Sequence, residues 1–242
     1  MMGNMLVKTN EEHLKTLTKR YPMLKEIEDS IIRAYMLFEE CYLSGGKMLI
    51  AGNGGSAADA EHIVGELMKG FKLSRTLEED FKQKLCNVDP IRGKELGVQL
   101  QGGLPAIALN SHQALSSAYL NDVDGAKVYA QQVNGYGVKG DVLLAISTSG
   151  NSRNVIYASI VAKAKGMKVI GFTGESGGEL SNLADITVKV PEKETYMIQE
   201  LHLPIYHCWC LMLEERFFAK KECGDLDGKI CIKTKTIEYI NN

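Results

Sequence analysis

The 242-residue chain is poor in the features that mark specialised proteins. No apolar run approaches the roughly 20 residues that a bilayer-crossing helix needs. The opening MMGNMLVKTNEEHLKTL holds no apolar stretch of signal-peptide length, so the expectation is a cytoplasmic protein without membrane contact. Charge of one sign is not in excess: 28 Lys and Arg stand against 30 Asp and Glu, a formal net charge of -2. That balance disfavours a basic surface for nucleic acid. The six cysteines (Cys41, Cys86, Cys208, Cys210, Cys223, Cys231) are scattered, and in a chain without export signals reduced thiols are expected rather than a disulfide framework. Cys208 and Cys210 flank Trp209, which is not the CxxC spacing of a redox or zinc motif. No internal repeat or low-complexity tract is present. At 45% apolar and 24% charged residues, the composition instead predicts an ordinary packed core.

The apolar pattern predicts an α/β fold. Residues 10–44 carry Leu14, Leu17, Tyr21, Leu24, Ile27, Ile31, Ile32, Tyr35 and Phe38, which read as two amphipathic helices broken near Tyr21-Pro22. Five short apolar runs follow, Lys47–Ala51, Leu104–Leu109, Val142–Ile146, Lys168–Phe172 and Ile186–Val190, separated by helical patterns in a parallel-sheet rhythm. Gly- or Ser-rich turns follow the first, third and fourth runs at their carboxyl ends, where open α/β sheets bind ligands. Residues 72–103 form a long polar connection with one short helix expected at Leu77–Leu85, a lid or an oligomer contact, the alternative being a mobile surface loop. The tail from Lys220 alternates in a way that suggests a terminal strand or a hairpin around Asp227-Gly228. The expected division is a helical segment 1–45, an α/β domain 46–218 with the 72–103 insertion, and an extension 219–242.

Two turns carry the chemistry. Gly52-Asn53-Gly54-Gly55-Ser56 runs from a buried strand into the helix 57–69, where glycine permits close backbone approach and free amides favour an anion. It has neither the Lys-[Ser/Thr] of a P-loop nor the GxGxxG spacing, so a nucleotide cofactor is not expected. Ser147-Thr148-Ser149-Gly150-Asn151-Ser152 places four hydroxyls and several amides where the third strand meets its helix. N-capping explains one of them, and phosphate binding explains the set. Asp59, His62 and Glu66 share a helix face, and Gln199, Leu203 and His207 share another at spacings of four. Taken singly, such residues read equally as core or solvated groups. Pro204 removes an amide inside this late helix, which is expected to begin nearby or bend there.

Together, AGNGGSAADAEH, AISTSGNSRNVI, MKVIGFTG and MIQELHLPIYH resemble the sugar isomerase (SIS) fold and, more narrowly, the bacterial phosphoheptose isomerases, over about residues 10–216. Glu66 after GNGGS and the late segment ending in His207 carry the narrower resemblance. It implies a three-layer αβα sandwich on a five-stranded parallel sheet, with the N-terminal helices serving oligomer packing. It also implies interconversion of sedoheptulose 7-phosphate and a glycero-manno-heptose 7-phosphate through an enediol, the first step toward nucleotide-activated heptose, in a homotetramer with shared sites. Carried over by position, Glu66 is the base and His207 its acid/base partner. Ser147, Thr148, Ser149 and Ser152 match the phosphate positions. Asn53, Gly54, Gly55, Ser56 and Gln199 match sugar-contacting positions, and Asp122 a further active-site acid. Some relatives hold zinc with residues matching His62, Glu66, Gln199 and His207, a donor set suited to that metal. The family's basic residue after the catalytic helix is replaced here by Gly70, between Lys69 and Lys72. The insertion and the tail are extra. Two rivals are carried: a non-catalytic SIS module, either a phosphosugar sensor or a replication-initiator-binding protein, and an isomerase of another phosphosugar.

Overall fold

The structure is a computed structural model and describes residues 8–219. The chain runs α1 (Lys8–Arg20), a 3-10 segment (Pro22–Ile27), α2 (Glu28–Leu43), β1 (Met48–Ala51), α3 (Gly55–Met68), α4 (Glu79–Val88), α5 (Pro90–Gln99), β2 (Ala106–Ala108) and α6 (Gln113–Asp122). It continues as α7 (Val128–Tyr136), β3 (Val142–Ile146), α8 (Arg153–Ala164), β4 (Lys168–Thr173), α9 (Leu180–Leu183), β5 (Ile186–Lys189) and α10 (Thr195–Phe218). All five expected apolar runs form strands, and the break at Tyr21-Pro22 separates α1 from α2.

The strands make one parallel sheet in the order β2-β1-β3-β4-β5. Helices cover both faces. Met48, Ile50, Leu144 and Phe172 join a core with α1, α2, α3 and α10, whereas Leu49, Ala51, Leu143 and Val169 join one with α7, α8 and α9. Burial on both faces explains why the strands read as unbroken apolar runs, and it makes the three-layer αβα sandwich that the sequence implied. Trp209 is the rivet of the first layer. It meets Phe38 edge-on at 5.3 Å and Phe172 at 5.0 Å, and its indole N–H donates to the Ile31 carbonyl at 3.0 Å. Each aromatic pair adds about 0.5–1.5 kcal/mol beyond burial, so α10 is fixed to both α2 and the sheet. From β1 the strand order departs in opposite directions, to β2 and to β3, which makes the carboxyl ends of β1 and β3 the natural ligand crevice.

Three expectations need correction. The 72–103 connection holds two helices, α4 and α5, packed as a hairpin. Asp89 caps the second by accepting from the Ile91 and Arg92 amides, with Pro90 at its first position. Gly93 and Gly97 mask that helix in the sequence, yet they permit the pairing: a β-carbon on Gly93 would stand 2.2 Å from the Leu85 carbonyl oxygen. The late helix does not begin near Pro204 but runs 24 residues through it from Thr195, with Leu201, Ile205 and Tyr206 buried around the missing bond. The helix after the first turn begins two residues earlier than expected, at Gly55. The expected terminal strand or hairpin lies outside the described residues. Cys41, Cys86, Cys208 and Cys210 are free thiols, and among the described residues no helix is long and apolar enough to cross a membrane.

Candidate active site

The two turns lie side by side at the carboxyl ends of β1 and β3. Asn53 and Asn154 exchange hydrogen bonds of 2.9 and 2.8 Å between them, and the Tyr129 hydroxyl donates to the Gly52 carbonyl at 2.5 Å. Glycine is required in the first turn: a β-carbon on Gly52 would stand 2.4 Å from the Ser56 carbonyl oxygen, and Gly54 has φ of +54°. Ser56 is buried beneath it.

In the second turn, Ser147 donates to Ser152 Oγ at 2.9 Å and accepts from the Ser152 amide at 3.3 Å, while the Asn151 amide donates to Ser149 Oγ at 3.2 Å. Thr148, Ser149 and Asn151 line a cavity of about 400 Å³ together with Gly174, Ser176 and Thr195. The start of α8 follows directly, adding the positive end of its dipole. Lys193 also lines this cavity and pairs with Glu175 at 3.2 Å.

The titratable cluster lies where α3 meets α10. His62 Nε2 stands 3.3 Å from Glu66 Oε1 and 3.5 Å from His207 Nε2. Tyr206 orients it, its hydroxyl 3.0 Å from His62 Nδ1 and donating to Asp59 Oδ1 at 3.3 Å. Phe71 packs on the His207 ring at 5.5 Å. Glu66 is mostly buried, its side chain 13% exposed, and its Oε2 has no hydrogen-bond partner among the described residues. Lys69 Nζ stands 4.0 Å from that oxygen. Burial, reinforced by the neighbouring His62, holds the His207 imidazole below the ordinary histidine value against the pull of Glu66. Burial raises the Asp59 carboxyl.

The structure thus brings His62, Glu66 and His207 together, and separately joins the two turns. It does not bring Gln199 to the cluster: the Gln199 amide packs against Gly55, where a β-carbon would meet it at 2.5 Å, seven residues before His62 on α3. The i, i+8 spacing put Gln199 and His207 on one side of α10 but two turns apart. Asp122 is likewise apart, exposed at the end of α6 with Asn121 donating to it at 2.7 Å. Sequence reasoning missed Tyr206 and Phe71. Tyr206 immediately precedes His207, and an aromatic beside a candidate acid was the available signal.

The cluster's chemistry fits zinc in part. Bonds of about 2.1 Å set donor–donor edges near 3.4 Å in a tetrahedron, and both contacts of His62 Nε2 match such edges. Tyr206 occupies Nδ1, leaving Nε2 for a metal, as an outer partner of a ligating histidine does. Among the described residues no trio of His, Cys, Asp or Glu already closes on a common point, so binding would require Glu66 or His207 to turn inward.

Residues 100–174 match the SIS domain family model. The chain is 41% identical over 177 residues to a phosphoheptose isomerase of Burkholderia pseudomallei, covering 73% of this chain and 77% of that one. With a phosphoheptose isomerase of Coxiella burnetii the identity is 36% over 215 residues, covering 88% and 94%. The solved phosphoheptose isomerase of Francisella tularensis superposes with a TM-score of 0.67 at 31% identity, covering 86% of this chain and 97% of that one.

Proposed function

Because the chain belongs to the phosphoheptose isomerase family, we propose that it interconverts sedoheptulose 7-phosphate and D-glycero-D-manno-heptose 7-phosphate, with Glu66 and His207 as the acid/base pair. The observation that carries the residue assignment is the convergence of Glu66, His62 and His207 from two helices, within 3.5 Å of one another through His62 Nε2.

Aldose–ketose isomerisation moves a carbon-bound proton between C1 and C2 and a second proton between their oxygens. Glu66 takes the carbon-bound proton, leaving an enediol, and returns it to the neighbouring carbon. His207 gives a proton to one oxygen and recovers one from the other. Each positioned group contributes ~10²- to 10⁴-fold. The hydroxyls and amides of Thr148, Ser149, Asn151 and Ser152 hold the phosphate, and Asn53, Gly54, Gly55, Ser56 and Gln199 present the sugar. His62, Glu66 and His207 would hold a zinc ion, which supplies stabilisation of negative charge on the sugar oxygens. Gln199 joins that set only by moving from Gly55.

Glu66 stands ten residues beyond Ser56, about 15 Å along α3. That separation supports a site completed by a second copy, and we assign the protein to a homotetramer in which the N-terminal helices pack between subunits. Its soluble sugar-phosphate substrate fits a cytoplasmic location. Among the rivals, the presence of the acid/base pair disfavours a sensor without catalysis. The test is a coupled assay on a panel of pentose, hexose and heptose phosphates, with zinc and with chelator. Turnover confined to sedoheptulose 7-phosphate is expected. Background rates with folded, metal-replete protein overturn the proposal.

A further inference from the structure

A buried ion pair joins the two catalytic helices behind the site. The side chains of Arg75 and Glu214 are 0% and 1% exposed, and Arg75 Nε donates to Glu214 Oε1 at 2.8 Å. The two remaining guanidinium nitrogens donate to the last carbonyls of α3, Nη1 to Leu67 at 2.7 Å and Nη2 to Glu66 at 2.9 Å. Those carbonyls lack donors within the helix. Glu214 in turn accepts from the backbone amides of Phe71 at 2.8 Å, Lys72 at 2.8 Å and Leu73 at 3.0 Å. The Phe218 ring lies 4.6 Å from the guanidinium carbon.

A buried ion pair is weak grounds for stability, since desolvation offsets most of its attraction. Its geometry has a more specific consequence. Arg75 grips the backbone of Glu66 itself. Glu214 lies on α10, seven residues and two turns beyond His207. The loop amides that Glu214 fixes begin with Phe71, whose ring walls His207. One fork-shaped side chain therefore ties together the peptide that carries the base, the helix that carries the imidazole and the ring packed on that imidazole. Lysine cannot reproduce it, because a point ammonium lacks the planar arrangement that reaches one carboxylate and two carbonyls.

We propose that Arg75, through Glu214, is a positioning residue for isomerisation: it sets the separation of Glu66 and His207 without touching the sugar. This rests on the isomerase reading above. A misplacement of about 1 Å at a reacting group costs on the order of 10²-fold in rate, while the glycine turn at the other end of α3 and the phosphate turn before α8 are left intact. The prediction is a loss in kcat with little change in KM.

The experiment compares wild type, Arg75→Lys and the charge-free pair Arg75→Met/Glu214→Gln on sedoheptulose 7-phosphate, at matched folded fraction by circular dichroism. The paired change leaves no unpaired buried charge and keeps an acceptor for the 71–73 amides, so it reads the geometry if the single variant fails to fold. Expected is a 10- to 100-fold fall in kcat, with KM within threefold of wild type and a lysine that does not restore the rate. Folded variants with kcat within twofold of wild type, or with a raised KM and unchanged kcat, overturn the positioning role alone. A wild type without turnover in the same assay overturns the isomerase reading and this inference with it.

Discussion

His202 provides a test of the packing that is independent of catalysis. It is fully buried on α10, stacked on Phe172 with ring centroids 3.7 Å apart. Its Nε2 is 3.4 Å from the Thr173 carbonyl oxygen, and its Nδ1 has no partner among the described residues. Burial pushes its imidazole down from 6.5 to about 4, against the small opposing effect of that carbonyl. The native state therefore keeps His202 neutral where the unfolded chain takes up a proton. Stability is fully present above pH 6.5 and is lost as the pH falls from 6.5 toward about 4, with a slope of at most about 1.4 kcal/mol per pH unit. Integrated from pH 7.5 to 5, the loss from this group is about 2 kcal/mol. Urea unfolding followed by far-ultraviolet circular dichroism at half-unit pH steps would measure it. His13 and His207, also held low, act in the same direction, and Asp59, held high, acts in the opposite one. The decisive quantity is thus the difference from His202→Leu, whose stability should fall less steeply over that window. A variant with the full wild-type slope would refute the reasoning.

The other predictions concern the turns and the metal. Gly150→Ala forces a side chain onto a φ of +68° and places its β-carbon 2.1 Å from the Gly177 carbonyl oxygen. Thermal unfolding should show a loss of about 2 kcal/mol or more, and phosphate affinity should fall with it. Ser147→Ala removes both the donor to Ser152 Oγ and the acceptor for the Ser152 amide. A cost of about 1 kcal/mol is expected, read as roughly a fivefold rise in KM for the sugar phosphate. His62→Ala should lower bound zinc, measured by elemental analysis after dialysis, by tenfold or more, whereas Gln199→Ala should matter less because its amide packs on Gly55.

The sheet and both turns were legible because two-sided burial leaves unbroken apolar runs and because close backbone approach demands glycine. The meeting of His62, Glu66 and His207 was legible in part: helical spacing gave each face, and the family resemblance paired them. What stayed hidden depends on contacts between distant segments. Gly93 and Gly97 read as helix breakers although they admit α5 against α4. Pro204 reads as a helix start or a bend, although the helix begins nine residues earlier, at Thr195, and its surroundings hold it through the proline. Spacing alone could not reveal that Gln199 would pack on Gly55, or that Asp122 would stand exposed at the end of α6. The partner of Arg75 lies 139 residues away. The one local sign was Glu214 within the apolar stretch CWCLMLEERFF, a carboxylate at a core position that needs a buried donor.

Glu66→Gln tests the central claim most directly, measured as turnover of sedoheptulose 7-phosphate alongside the dissociation constant for inorganic phosphate. The account predicts a fall in kcat of at least about 10²-fold, with phosphate affinity within twofold of wild type. A folded variant that keeps more than a tenth of wild-type kcat would contradict it.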